Sequence, residues 1–178
     1  SSPDIEQLLR ADFAEVLAAA VDSVALKGGG SNQPTGIIST SGVTDQIIGT
    51  PTWAAILDMI STVEVNNALD GSLGFAMGAR VKRKLRATLR AASTDSVMIM
   101  NSPTELAGYP AYATSNLAGS GGSPDNGELV FGNFANLLIG FWSELDVLVN
   151  PYESTAYSKG NVQIRAMVTC DVAVRRTE

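Results

Sequence analysis

The chain has 178 residues, 45% of them hydrophobic, and a formal net charge of −6 from 12 basic and 18 acidic side chains. That is enough apolar material for one large domain or two small ones sharing a core, and too much for a disordered chain. With no histidine and a single cysteine, Cys170, the chain cannot form an internal disulfide, a Ser–His–acid triad or a His-containing metal site by itself.

In chain order, the first element predicted is a long helix from Pro3 to about Lys27. Ser2 suits its N-cap, and Pro3 suits the first helical position, where no N–H is needed. Ile5, Leu8, Leu9, Phe13, Val16, Leu17, Ala20, Val21 and Val24 recur mostly at gaps of three and four, the period of one helix face. Such a helix would be about 37 Å long at 1.5 Å per residue, a spine on which other elements lie. Gly28–Gly30 should stop it. These glycines are not a phosphate loop, since the lysine precedes them and no Gly-Lys-Ser/Thr follows.

Residues 28–50 read as loop around the Ile37–Ile38 pair. A second helix is expected from Pro51 or Thr52 to Leu69, with Trp53, Ile56, Leu57, Ile60 and Val63 inward. Leu73–Met77 reads as a strand, and Ala79–Ala92 as a third helix with Val81, Leu85, Leu89 and Ala92 inward. Beyond residue 95 the period shifts toward two. Strands are expected at Val97–Met100, Tyr109–Thr114, Glu128–Phe131, Leu137–Phe141 and Leu145–Val149, with a flexible loop over 118–127. That loop's GSGGS run at 119–123 is no nucleophile elbow, because it lacks the strand-to-helix setting and a histidine. The last segment, Val162–Val174, alternates apolar and mostly polar residues without a break and would extend about 43 Å. Its length and apolar face match the first helix, which suggests that the two pack side by side around a domain inserted between them.

Four stretches in this order resemble the major capsid proteins of tailed phages, whose shell fold is shared with encapsulins. SSPDIEQLLRADFAEVLAAAVDSVALKGGGSNQPTGI is similar to the family's spine helix and following turn, and GYPAYATSNL to its GYP-containing strand. VFGNFANLLIG is similar to its Gly-Asn/Asp-Phe turn and strand, and NVQIRAMVTCDVAVRRTE to its long return strand. The resemblance implies an α+β fold of the phage major-capsid type, in which a long spine helix and peripheral β-strands carry an inserted axial α/β domain. It places the peripheral domain at 1–36 and 151–178 and the axial domain at 37–150. The N-terminal arm and extended loop that family members carry ahead of the spine are expected to be missing from this chain, which should therefore fold but self-associate only incompletely, without closing a capsid.

The function this implies is a non-enzymatic structural subunit of an icosahedral phage or prophage capsid, assembling around DNA. Its partners would be copies of itself in pentamers and hexamers. It would need no cofactor and no membrane, and would reside in the host cytoplasm before assembly and in the virion capsid after it. The alternatives are an encapsulin-like compartment shell, a carbohydrate- or protein-binding module, and, from a different class, a carboxylate-dependent hydrolase. The hydrolase reading would use Glu144 and Asp146, with Asp95, Glu128 and Glu153 approaching from loops.

The sharpest local anomaly is charge. Arg80, Lys82, Arg83, Lys84, Arg86 and Arg90 hold half of the basic residues, with no acid between Asp70 and Asp95. On a helix running to residue 92, Lys82, Arg86 and Arg90 would form one stripe. Three roles fit: a solvated face, a contact to an acidic surface of a neighbouring subunit, or a contact to packaged DNA. Tyr109, Tyr112, Tyr152, Tyr157 and Trp142 are candidates for interface anchors or ordinary packing, and Trp53 for the core of the second helix.

Overall fold

The spine expected from the first 27 residues is present as one continuous helix, α1 (Pro3–Lys27). The structure, a computed structural model, describes residues 3–44, 50–66, 68, 71–91, 97–118, 127–143, 146–152 and 157–177; Ser2 and its expected capping role lie outside them. The inward stripe of α1 is narrower than the sequence suggested. Leu9, Phe13, Leu17, Val21 and Val24 are half-buried, whereas Leu8 and Val16 remain 62% and 66% exposed.

The helix ends where the glycines begin. The Gly28 N–H closes the last turn on the Val24 carbonyl at 2.8 Å, and the Gly36 N–H returns to the Gly28 carbonyl at 2.9 Å. Residues 28–36 thus form a reverse loop laid back against the helix terminus. A Cβ on Gly36 would stand 2.6 Å from backbone atoms of Val24, Lys27 and Gly28, so this backbone-on-backbone approach requires glycine. A 3-10 turn, Ile37–Ser39, follows with Ile37 buried.

The central unit is built on four strands. These are β1 (Leu73–Gly78), β2 (Glu105–Leu106), β3 (Tyr109–Thr114) and β4 (Leu129–Asn133), in the order β2-β3-β1-β4. β1 runs parallel to β3 and antiparallel to β4, and α3 (Ala79–Ala87) lies in the crossover from β1 to β3. Phe75 sits between Ala111 and Phe131 in register, and Phe75, Met77 and Ala111 are at most 3% exposed. The alternate row is mixed, with Tyr112 68% exposed beside Ala76 but Gly74 and Gly78 buried. The face of Phe75, Met77 and Ala111 carries the core, joined by Leu129 and Phe131 of β4.

Helix α2 (Trp53–Val65) contributes Ile56 and Ile60 to that core, and α3 contributes Leu85. Ile99, Met100 and Leu106 complete it, and the rings of Phe75, Phe131 and Tyr109 close one side at centroid distances of 4.5 to 6.4 Å. Thr52 caps α2 by accepting from the Ala55 N–H at 3.2 Å.

Two helices are shorter than their sequence patterns. α2 ends at Val65 rather than Leu69, and α3 at Ala87 rather than Ala92. For α3 the cause is tertiary. Thr88 turns extended, its hydroxyl donates back to the Lys84 carbonyl, and its own carbonyl accepts from Ile99. The Arg90 N–H then donates to Val97. The expected strand at Val97–Met100 is reduced by the same exchange to a single bridge between Leu89 and Met98.

The last four strands form a two-stranded ribbon. β5 (Leu137–Phe141) pairs with β8 (Cys170–Val174), and β6 (Asp146–Asn150) pairs with β7 (Gln163–Met167), both antiparallel. The expected unbroken strand Val162–Val174 is therefore interrupted at Val168–Thr169. The register sets Phe141 opposite Cys170 and Asp146 opposite Met167, so four residues lie between these pairs on the outgoing side and two on the return side. The Trp142 N–H donates to the Thr169 carbonyl, and the Thr169 N–H to Ser143 Oγ, which hold the two sides together at this interruption. The alternation itself survives the break. Ile164, Ala166, Val168, Cys170, Val172 and Val174 are all more covered than the residues between them.

Candidate functional site

α3 concentrates positive charge because its sequence, ARVKRKLRA, places Val81 and Leu85 toward the core and leaves the rest of the circumference basic. Arg80, Arg83 and Arg86 fall opposite the core direction at successive steps of three and are exposed; Lys82 and Lys84 flank them and are half-buried. Arg80 and Arg83 also make polar contacts within the chain. The ridge is thus Arg80–Arg83–Arg86.

Arg90 does not belong to it. The stripe Lys82–Arg86–Arg90 assumed four more residues of helix, and the turn at Thr88 removes its last member. The Arg90 guanidinium lies 3.8 Å over the Trp53 ring instead, tying the segment after α3 to the start of α2. Trp53 is packed against the core, as expected.

A second charged feature joins distant elements. Lys27, at the last residue of α1, donates to the Ala118 carbonyl at 2.9 Å, and its ammonium lies 2.9 Å from Glu128 Oε2. That oxygen is shut off from solvent, and Lys27 is its counterion by proximity rather than through an aligned hydrogen bond. This engages one carboxylate of the hydrolase reading. Asp146 stands exposed on β6, opposite Met167, while Asp95, Glu144 and Glu153 lie outside the described residues. Among the described residues no cluster of three potential metal ligands occurs, and no helix is long and apolar enough to cross a membrane.

The aromatic candidates divide. Tyr109 belongs to the Phe75–Phe131 cluster, whereas Tyr112, Trp142, Tyr152 and Tyr157 are 68–82% exposed. Sequence reasoning missed the apolar side of the ribbon. Leu137, Ile139, Phe141, Val147 and Val149 share the face of Ile164 to Val174, yet among the described residues of that face only Val172 is buried, and Phe141 and Val149 are 60% and 61% exposed. The signal was there, since an apolar return strand must pair with an outgoing strand of matching phase. The molecule exposes apolar area of the kind that association covers.

A shallow open depression of about 360 Å³ lies on the outer side of α2, lined by Asp58, Ser61, Thr62, Val65 and Asn66. It is of mixed polarity and solvent-facing, without the enclosure of a ligand pocket.

Comparison with known proteins points one way. The profile of the phage capsid family matches residues 1–178. A major capsid protein of Halomonas phage phiHAP-1 is 26% identical over 180 residues, covering the whole of this chain and 28% of that protein. Among solved structures, the capsid of a native GTA particle, computed with C5 symmetry, superimposes with a TM-score of 0.71 at 21% identity, over 99% of this chain and 64% of that one. The empty GTA particle's capsid gives 0.68 at 20% identity, over 99% and 65%. The chain spans just over a quarter of the curated relative's length and about two-thirds of each solved subunit.

Proposed function

The chain belongs to the phage capsid family, and from that premise we propose that it is the shell-forming core of a subunit that assembles around DNA into an icosahedral phage or prophage capsid. The observation that carries the reading is the superposition of nearly the whole chain on GTA capsid subunits. The uncovered apolar face of the ribbon supports it, because a monomeric protein gains nothing from such a surface. Closed shells build themselves from repeated copies of a few interfaces, and subunits of one kind form the rings.

In this reading the work is structural and non-enzymatic, carried out in the host cytoplasm during assembly and then within the virion capsid. α1 with its following turn and the ribbon make the peripheral part, and residues from 37 onward make the axial part that meets its copies in pentamers and hexamers. The pairing of β5 and β6 with β8 and β7 favours ending the axial part before Leu137 rather than at 150. Expression of the full-length gene product, with electron microscopy and mass measurement, tests the reading. Closed DNA-bearing shells are expected. Shells enclosing a protein cargo would indicate an encapsulin-like compartment, and a strictly monomeric full-length product would refute the shell reading.

A further inference from the structure

We propose that the arginine ridge of α3 docks on the acidic outer face of α2 in a second copy, so that neighbouring central units join head to tail. The inference rests on the shell reading and adds which two surfaces meet.

α2 and α3 pack into the same core but present opposite chemistry outward. The ridge is Arg80, Arg83 and Arg86, flanked by the half-buried stems of Lys82 and Lys84. α2 carries no basic residue at all. Its solvent side exposes Asp58, Ser61 and Glu64 with Leu57 and Val65, the last two 43% and 77% exposed, and Asp58, Ser61 and Val65 line the shallow depression. Arginine suits such a partner. Its planar fork pairs two-pronged with a carboxylate, and its aliphatic stem covers apolar carbons such as those of Leu57 and Val65. Exposed Leu57 and Val65 would give the contact the dehydrated centre that a purely ionic contact lacks.

Placement across the sheet favours a contact between copies. α2 packs on the edge strand β4, whereas α3 packs on the inner strands β1 and β3. The two faces are therefore displaced patches of one surface, the condition for a heterologous contact, which closes into a ring when the rotation permits. α1 is the competing acidic surface, with Asp12, Glu15 and Asp22 exposed, but Arg10 interrupts its row and Lys27 ends it.

The test uses the full-length gene product. The triple change Arg80→Glu, Arg83→Glu, Arg86→Glu should lower the yield of closed shells by at least about tenfold, and so should Asp58→Lys with Glu64→Lys. Combining both sets should restore assembly, a result that misfolding of either variant cannot produce. In a Cys170→Ser background, Arg83→Cys with Ser61→Cys should give disulfide-linked ladders under mild oxidation. Shells from both reversed variants at the unaltered yield would overturn the proposal. So would normal shells with reduced DNA content, which would make phosphate the partner of the ridge, or ladders formed only when the second cysteine is Glu15→Cys on α1. Failure of the unaltered protein to form shells would overturn the shell reading itself, a separate result.

Discussion

Lys27 and Glu128 meet at 2.9 Å although one ends the long helix and the other precedes β4, and the same ammonium donates to the Ala118 carbonyl. Around them, Glu128 exchanges backbone hydrogen bonds with Leu117 and Gly78, so one lysine secures the helix end to the point where β1, β4 and the Ser115–Leu117 turn converge. Lys27→Met keeps most of the stem and removes the charge, leaving a solvent-excluded carboxylate oxygen without its cation. The side chains are each about a quarter exposed, which screens the pair in part. A loss of about 1–2 kcal/mol is expected in chemical denaturation. Adding Glu128→Gln should recover part of it, and an additive double mutant would show that the two groups do not interact.

The reverse loop at the end of α1 depends on the missing side chain of Gly36. An added Cβ would meet backbone atoms on three residues, none of which can rotate away. Gly36→Ala should therefore cost about 2–3 kcal/mol, the upper end of the range for overpacking. Gly132→Ala on β4 is the matched control, because a Cβ there meets nothing within 4 Å. Its effect should stay within about 0.5 kcal/mol of zero. Equal midpoints for the two variants would remove the close-approach argument.

Ala107 sits at φ +52 beside Gly108 at φ +87, forming the two-residue turn between β2 and β3. Both positions of this turn are left-handed, which suits glycine and strains alanine. Ala107→Gly should relieve that strain, against a larger entropy loss on folding and the loss of a methyl packed on the core. A net gain of about 0.5 kcal/mol in thermal or denaturant unfolding is expected. A loss above about 1 kcal/mol would mean that the methyl contact outweighs the backbone strain.

These cases also mark where sequence reading stops. α1, α2, β1 and β3 were legible because their apolar periods continue for several turns or alternations. The end of α3 was not, since its pattern runs through Leu89 and only the hydrogen bonds from the Ile99 N–H to the Thr88 carbonyl and from the Arg90 N–H to the Val97 carbonyl divert the chain. That diversion moved Arg90 from the ridge to Trp53. The Lys27–Glu128 pair was equally invisible, because nothing local to either residue indicates the other. The ribbon was half legible. The phase of Ile164 to Val174 could be read, but not how little would cover it.

That ribbon separates folding from association in a way the chain itself can test. Leu85 is fully buried in the core, so Leu85→Ala removes packed methyl groups and leaves a cavity, costing about 2–5 kcal/mol. Phe141 is apolar too, yet 60% exposed, and Val149 is 61% exposed. Phe141→Ser and Val149→Ser forfeit little native contact, and each should shift the unfolding midpoint by no more than about 0.5 kcal/mol. Their effect should appear instead in concentration-dependent sedimentation, with less self-association and weaker binding of an apolar dye. In the full-length protein the same changes should lower shell yield while the subunit stays folded. If Phe141→Ser destabilised the isolated chain as much as Leu85→Ala, its ring would belong to the fold. The apolar ribbon would then be a core edge and not a surface kept open for another subunit.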